Sequence, residues 1–202
     1  MSPIHLVEPG QPETRIAVLA ARIVSLAEAL QLVPRTEEDR TGHAAIKAAL
    51  AAFAREGVAR NAASLVEHLH PEALADVLSD VVAAVEECPL PQLEWPYLAE
   101  LLGEDLLGKI VGVSASSFHR YRAGGRPTPD HIAARLHIVT LIVADLSGSY
   151  NDFGIRRWFG RKRSALSGQS PVEVLSGNWA AHDQGTEQVR ALAASLLAPF
   201  AA

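Results

Sequence analysis

Leu74, Val77, Leu78, Val81, Val82 and Val85 recur every one to four residues along a single stretch of the chain. At 3.6 residues per turn all six fall on one side of a helix, whereas a strand would divide them between its two faces. The same period returns in Ile16, Leu19, Ile23, Leu26, Ala27 and Leu30 (12–33), in Ile46, Leu50 and Phe53 (37–54), and in Val189, Leu192, Ala193 and Leu196 (186–197). Further helical patterns cover 62–68, 97–102, 105–111, 115–123 and 129–146. No segment alternates convincingly, and no internal repeat appears. Aromatic residues make up only 5% of the 202, while Ala and Leu dominate. That composition favours helices over strands. The spacing predicts an all-α fold.

Proline and glycine divide these helices. Pro34 stops the first, Gly57 ends the second, and Pro71 stands where a helix takes proline in its first turn. The stretch "CPLPQLEWP", 88–96, holds three prolines in nine residues and is the expected linker. Residues 1–11 are expected to be irregular. The division is therefore an acidic N-terminal helical region (1–90), a helix-turn-helix region (97–146) and a C-terminal module (147–202). Charge follows it: residues 1–96 hold 7 Lys/Arg and 14 Asp/Glu, a net −7, and residues 97–202 hold 11 and 9, a net +2. The cations of the second half cluster at 120–126 and 156–163, which hints at an anionic partner but also suits a solvated surface.

Several classes of protein are disfavoured. The single cysteine, Cys88, rules out an intramolecular disulfide framework and a Cys-rich zinc site, and is expected to be a buried or half-buried filler. The apolar run 138–144 is too short to span a bilayer. No signal peptide is read at the N-terminus, so a cytoplasmic protein is expected. His68 and His70 stand two apart, a poor spacing for chelation on a helix. "AGGRP", 123–127, lacks the lysine and spacing of a phosphate loop. No nucleophile or carboxylate is placed beside "HRYR" by sequence. No enzyme, no metal and no cofactor are expected.

"EDLLGKIVGVSASSFHRYRAGG", 104–125, has the signals of a helix-turn-helix. Gly112 suits the turn, Gly108 the helix crossing, and Ser114 the N-cap of the second helix. Leu107, Val111, Val113, Phe118 and Tyr121 supply the locking apolar set. Ser116, His119, Arg120 and Ala123 are then left on the outer face. DNA contact would fall to Arg120 on a guanine, to Ser116 and His119 on bases or phosphates, to Ser114 at the start of the helix, and to Arg122 and Arg126 on phosphates. The same pair of helices also reads as a packing unit. So few cations per chain call for a dimer if DNA is bound.

The segment that follows, "RRWFGRKRSALSGQSPVEVL" (156–175), sets five cations around Trp158 and Phe159. Asp152 is the expected cap of the short helix before it, and Ser170-Pro171-Val172-Glu173 is a capping box with proline at N1. Thr128-Pro129, Trp158, Leu166-Ser167-Gly168, Ser170-Pro171 with Leu175, and Gly185 with Val189 occur in an order and spacing that resembles the Xre/MbcA/ParS antitoxin family over about 97–202. The chain departs from that pattern in Leu-Ser-Gly for Leu-Gly-Gly, in Arg163-Ser164 for Pro-Asn, and in an added Trp179. The resemblance implies a type II antitoxin. Its C-terminal module would cover the active site of a RES-type toxin that consumes NAD, and its helix-turn-helix would repress its own operon through operator DNA. It also implies a homodimer within a larger toxin–antitoxin complex. Trp158, Arg161, Arg163, Trp179 and Arg190 are the expected toxin contacts, with Trp158, like Phe159, read first as a core residue that holds the module while the cations face outward. A stand-alone helix-turn-helix regulator and a structural adaptor using Trp158, Trp179 and the last helix remain as alternatives.

Overall fold

The computed structural model describes residues 12–34, 42–66 and 69–196. The expected irregular start, the first residues of the second helix, His68 and Leu197 lie outside them. Every regular element described is helical. In order these are α1 (Pro12–Ala29), α2 (His43–Arg55), α3 (Ala62–Leu65), α4 (Pro71–Glu87), α5 (Pro91–Leu102), α6 (Glu104–Val111), α7 (Ala115–Arg122), α8 (Asp130–Ser147), α9 (Asp152–Gly160), a 3-10 turn (Ser164–Leu166), α10 (Pro171–Val174) and α11 (Gln184–Ala194).

α8 is the axis of the molecule. Its buried residues run almost continuously from Ile132 to Leu146, mostly apolar with Arg135, His137, Thr140 and Asp145 among them, so it is enclosed by other helices on all sides. α1, α5, α6, α9 and α11 all pack on it, and α4 lies along α1. This explains the apolar run at 138–144: it is central core, and no described helix is long and apolar enough to cross a membrane. One buried cluster continues from Ala20 in α1 to Ala193 in α11.

The expected linker is a helix instead. Only Cys88, Pro89 and Leu90 separate α4 from α5. Pro91 occupies the first turn, where its missing N–H costs nothing. Pro96 lies inside the helix, but it and Gln92, whose carbonyl loses its donor, are both exposed, so water can take the free oxygen. Trp95, between the two prolines, is 1% exposed. Cys88 is exposed where α4 ends, not a filler. The cap of α9 is Asn151, whose side chain accepts from the Gly154 N–H at 2.9 Å; Asp152 is the first helical residue, where a carboxylate favours the helix dipole.

Candidate functional site

α6 and α7 form the helix-turn-helix that the sequence signals. Gly112 has φ +80°, and its N–H and that of Val113 both bond the Gly108 carbonyl (2.9 and 3.0 Å), closing α6. A Cβ at Gly112 would also meet Arg135 Nη1 at 2.9 Å, so the turn needs glycine for its conformation and for that close approach. A Cβ at Gly108 would make only ordinary contacts with Val113 and Phe118, so the crossing tolerates a larger residue than expected. Ser114 caps α7 by accepting from the Ser117 N–H at 3.3 Å. Leu107, Val111 and Phe118 are buried, and Val113 and Tyr121 pack against them.

The missing member of that core is Trp95. Its ring meets Phe118 edge-on at 5.2 Å and stacks on Tyr121 at 6.0 Å. Its Nε1–H donates to Thr128 Oγ1 at 3.0 Å. The two prolines beside Trp95 hid it in the sequence, because they read as loop while the helix carried it inward.

Ser114, Ser116, His119, Arg120, Arg122 and Arg126 are all exposed on the α7 side. Three are engaged locally: Ser114 caps α7, Arg120 Nε bonds the Ser116 carbonyl at 3.2 Å, and His119 Nε2 lies 3.1 Å from Glu104 Oε1. Glu104 and Asp105 open α6 and line a shallow cleft with Lys109, Ala115 and Phe118. Those carboxylates oppose a phosphate backbone on that side of the pair.

The C-terminal residues are placed differently. Trp158 is 2% exposed, edge-on to Phe159 at 5.4 Å, with the half-buried Arg163 guanidinium 5.5 Å above its ring. Trp158 Nε1 and Arg163 Nε are both buried with no acceptor among the described residues. The Arg163 backbone closes the following turn through its N–H to Gln169 and its carbonyl from Gly168, both at 2.9 Å. Trp179 is 6% exposed and donates from Nε1 to the Ile110 carbonyl at 2.8 Å. Neither tryptophan offers a face to a partner; both hold the module together. Arg190 is half-buried and pairs with Glu86 Oε2 at 3.2 Å. Of the five expected contacts, Arg161 alone is fully on the surface.

Arg135 of α8 joins the helix-turn-helix to the C-terminal module, and no local pattern announced it. Its Nε donates to the Trp179 carbonyl (2.8 Å), Nη1 to the Val111 carbonyl (3.2 Å) and Nη2 to Asn178 Oδ1 (3.0 Å), with its guanidinium 5.4 Å from the Trp179 ring. Its acceptors are neutral oxygens, and they satisfy a charge that is 9% exposed.

A second polar cluster joins the N-terminal helices to the end of the chain. Arg22 of α1 donates to Glu86 Oε1 of α4 (Nη2, 2.6 Å) and to Asp145 Oδ1 of α8 (Nη1, 2.9 Å), and Arg190 of α11 takes the other Glu86 oxygen. Burial opposes ionisation of Glu86, but the two arginines outweigh it and hold its pKa below the ordinary value. At Asp145 burial outweighs the Arg22 charge and pushes the pKa up to about 6. Nearby, His137 Nδ1 meets Glu94 Oε1 at 2.5 Å and its Nε2 meets the Glu86 carbonyl at 3.0 Å. Both ring nitrogens are occupied and both side chains are buried, while Glu94 Oε2 is buried with no partner among the described residues. Among the described residues no group of three or more His, Cys, Asp or Glu could hold a metal ion.

The chain matches no family model, no curated protein and no solved structure.

Proposed function

We propose that this protein is the antitoxin of a type II pair, that it binds and inhibits a RES-type NAD-consuming toxin through its C-terminal module, and that its helix-turn-helix represses its own operon. In this reading it acts in the cytoplasm as a homodimer within the toxin–antitoxin complex, and it performs no catalysis itself. The observation that carries the reading is the junction of Arg135, Trp179 and the Ile110 and Val111 carbonyls, which locks the helix-turn-helix to the C-terminal helices. The stretch of chain that resembles the family is thereby one packed body. The capping box supports it further: the Glu173 carboxylate accepts from both the Ser170 N–H and hydroxyl at 2.7 Å, which holds its pKa below the ordinary value. Co-expression with a RES-type NAD-consuming protein tests the reading. Cellular NAD should fall when that protein is produced alone and hold steady when this chain accompanies it. An equal fall in both cases contradicts it.

The stand-alone DNA-binding regulator has one observation in its favour, the exposure of Ser114, Ser116, His119, Arg120, Arg122 and Arg126 together. It predicts salt-dependent binding to an upstream inverted repeat without any protein partner. The paired His119 and the carboxylates of α6 weigh against DNA contact on that side of the helix pair in either reading.

A further inference from the structure

Two arginines of this chain lie over a tryptophan ring, and only one of them is satisfied. Arg135, 5.4 Å from the Trp179 centroid, donates from Nε, Nη1 and Nη2 to three oxygens. Arg163, 5.5 Å from the Trp158 centroid, donates from its guanidinium to no described residue, and its Nε is buried. The Nε1–H of the ring beneath it is also buried without an acceptor. A guanidinium carries only donors, so a half-buried one with none of them spent asks for oxygen from outside the chain. Its position is nevertheless fixed. The indole supports it on one side, and its backbone closes the turn 163–169 through the Gln169 carbonyl and the Gly168 N–H, both at 2.9 Å. A fork held without hydrogen bonds is ready for two oxygens of one anion and loses little freedom on binding them.

The rest of the basic run sorts in the same way. Arg156 Nη1 donates to the Leu101 carbonyl at 2.8 Å and Arg157 lies over the Phe153 ring, so the fold employs both. Arg161 and Lys162 are exposed and form no ion pair with a described carboxylate. Lys162, with Lys109 of α6, helps to lower the pKa of Glu173, but that carboxylate is already bonded to Ser170. Arg161 and Arg163 both have extended backbone, in which residues two apart point to one side. Gly160 before them is exposed, with nothing within 4 Å of where a Cβ would stand, so the end of α9 is open to a close approach. Trp158 and Phe159, the aromatics within the run, are 2% and 0% exposed and offer no anchor to a protein partner. Contact with phosphate needs the cations alone. Three cations beside one engaged carboxylate suit a group with more than one negative charge, which a phosphate supplies and a single carboxylate does not.

We infer that Arg161, Lys162 and Arg163 form a phosphate-binding site, the Arg163 fork taking two oxygens of one phosphoryl group and the flanking cations the charge beside it. The group belongs to a free polyphosphate or to a nucleic-acid backbone, which present the same oxyanion. The site is separate from the exposed residues of α7 and does not rest on the antitoxin reading.

Two probes separate the sources: inorganic pyrophosphate and a fluorescein-labelled oligothymidine strand, each titrated into the full chain. The variants are Arg163→Lys, which keeps the charge and loses the fork, Arg161→Gln with Lys162→Gln, and Arg120→Gln with Arg122→Gln on α7. Binding should saturate and shift the indole N–H resonance of Trp158, leaving those of Trp95 and Trp179 in place. The Arg161 and Lys162 changes together should weaken it by roughly tenfold. Arg163→Lys should weaken it by about fivefold. The α7 changes should leave it as in wild type. Arg161 and Lys162 are exposed, so the melting temperature of their variant should match wild type and its loss cannot come from unfolding. Binding of pyrophosphate assigns the site to a free phosphate compound. Binding of the strand alone, with a log–log salt slope of about −2, assigns it to a backbone. Failure of both probes to bind overturns the inference, and so does binding that the Arg161 and Lys162 changes leave intact. An oligoglutamate peptide that binds as tightly as the strand also overturns it. None of these failures bears on the antitoxin reading, whose readout is cellular NAD.

Discussion

The C-terminal half is held by two seams of different chemistry. Toward the helix-turn-helix, Arg135 and Trp179 bond neutral oxygens, two of Arg135's three acceptors being backbone carbonyls, around a buried ring. Toward the N-terminal helices, Arg22 and Arg190 bond the carboxylates of Glu86 and Asp145. Neutral acceptors do not titrate, so the first seam is indifferent to pH. The second joins charges on four helices and responds to both pH and salt. The two seams differ in what they join: the first packs the helix-turn-helix and the C-terminal helices into one body, and the second ties a set of acidic helices to it.

The contrast is broken most directly by Trp179→Ala. It removes a buried ring and leaves the Ile110 carbonyl and the Arg135 face without partners. A loss of about 3–5 kcal/mol in urea unfolding is expected, unaffected by salt. Glu86→Gln should cost less, about 2 kcal/mol, because Glu86 is partly open to solvent and its pairs are screened. That loss should shrink at high salt, whereas the Trp179→Ala loss should not. Equal salt dependence in the two variants removes the distinction between the seams.

The pH response sharpens it. The folded chain holds the Asp145 proton up to about pH 6, well above the ordinary value of 3.8. The contribution of Asp145 is thus fully present below that ordinary value and is lost as pH rises toward 6, by up to about 1.4 kcal/mol per pH unit. Glu86 runs the other way: its lowered pKa gives a contribution present above 4.5 that is lost on acidification. Between pH 4 and 6.5, wild type should therefore lose stability relative to Asp145→Asn as pH rises. Parallel curves contradict the assignment.

The smallest effect concerns neither seam. Ser167 adopts φ +54°, the left-handed conformation that favours glycine. Ser167→Gly relieves that left-handed conformation at the expense of a freer unfolded chain, for a net gain of about 0.5–1 kcal/mol in thermal unfolding. A loss would show that the Ser167 side chain is itself needed.

Local chemistry was legible in the sequence and distant pairing was not. Gly112, Ser114 and the Ser170–Glu173 box each act within four residues, so their spacing disclosed them. Apolar periodicity likewise gave most of the helices. Arg135 meets Trp179 across 44 residues, and Arg22 meets Asp145 across 123, distances at which one sequence carries no pairing signal. The prolines around Trp95 misled because one occupies a helix's first turn and the other its wet face. Trp158 and Trp179 had the composition of an interface, and their burial is a matter of packing that periodicity cannot rank. The exposure of Phe153 in α9 and of Tyr150 in the loop before it was not legible, because an exposed aromatic looks the same in sequence as a buried one.

The central proposal is that the C-terminal module binds and inhibits a RES-type toxin. It is tested most directly by mixing the purified, nuclease-treated full chain with a purified RES-type NAD-consuming protein and measuring complex formation by calorimetry. The account predicts a saturable complex that abolishes the partner's NAD consumption. Absence of binding, with the same chain gripping operator DNA alone, would contradict it.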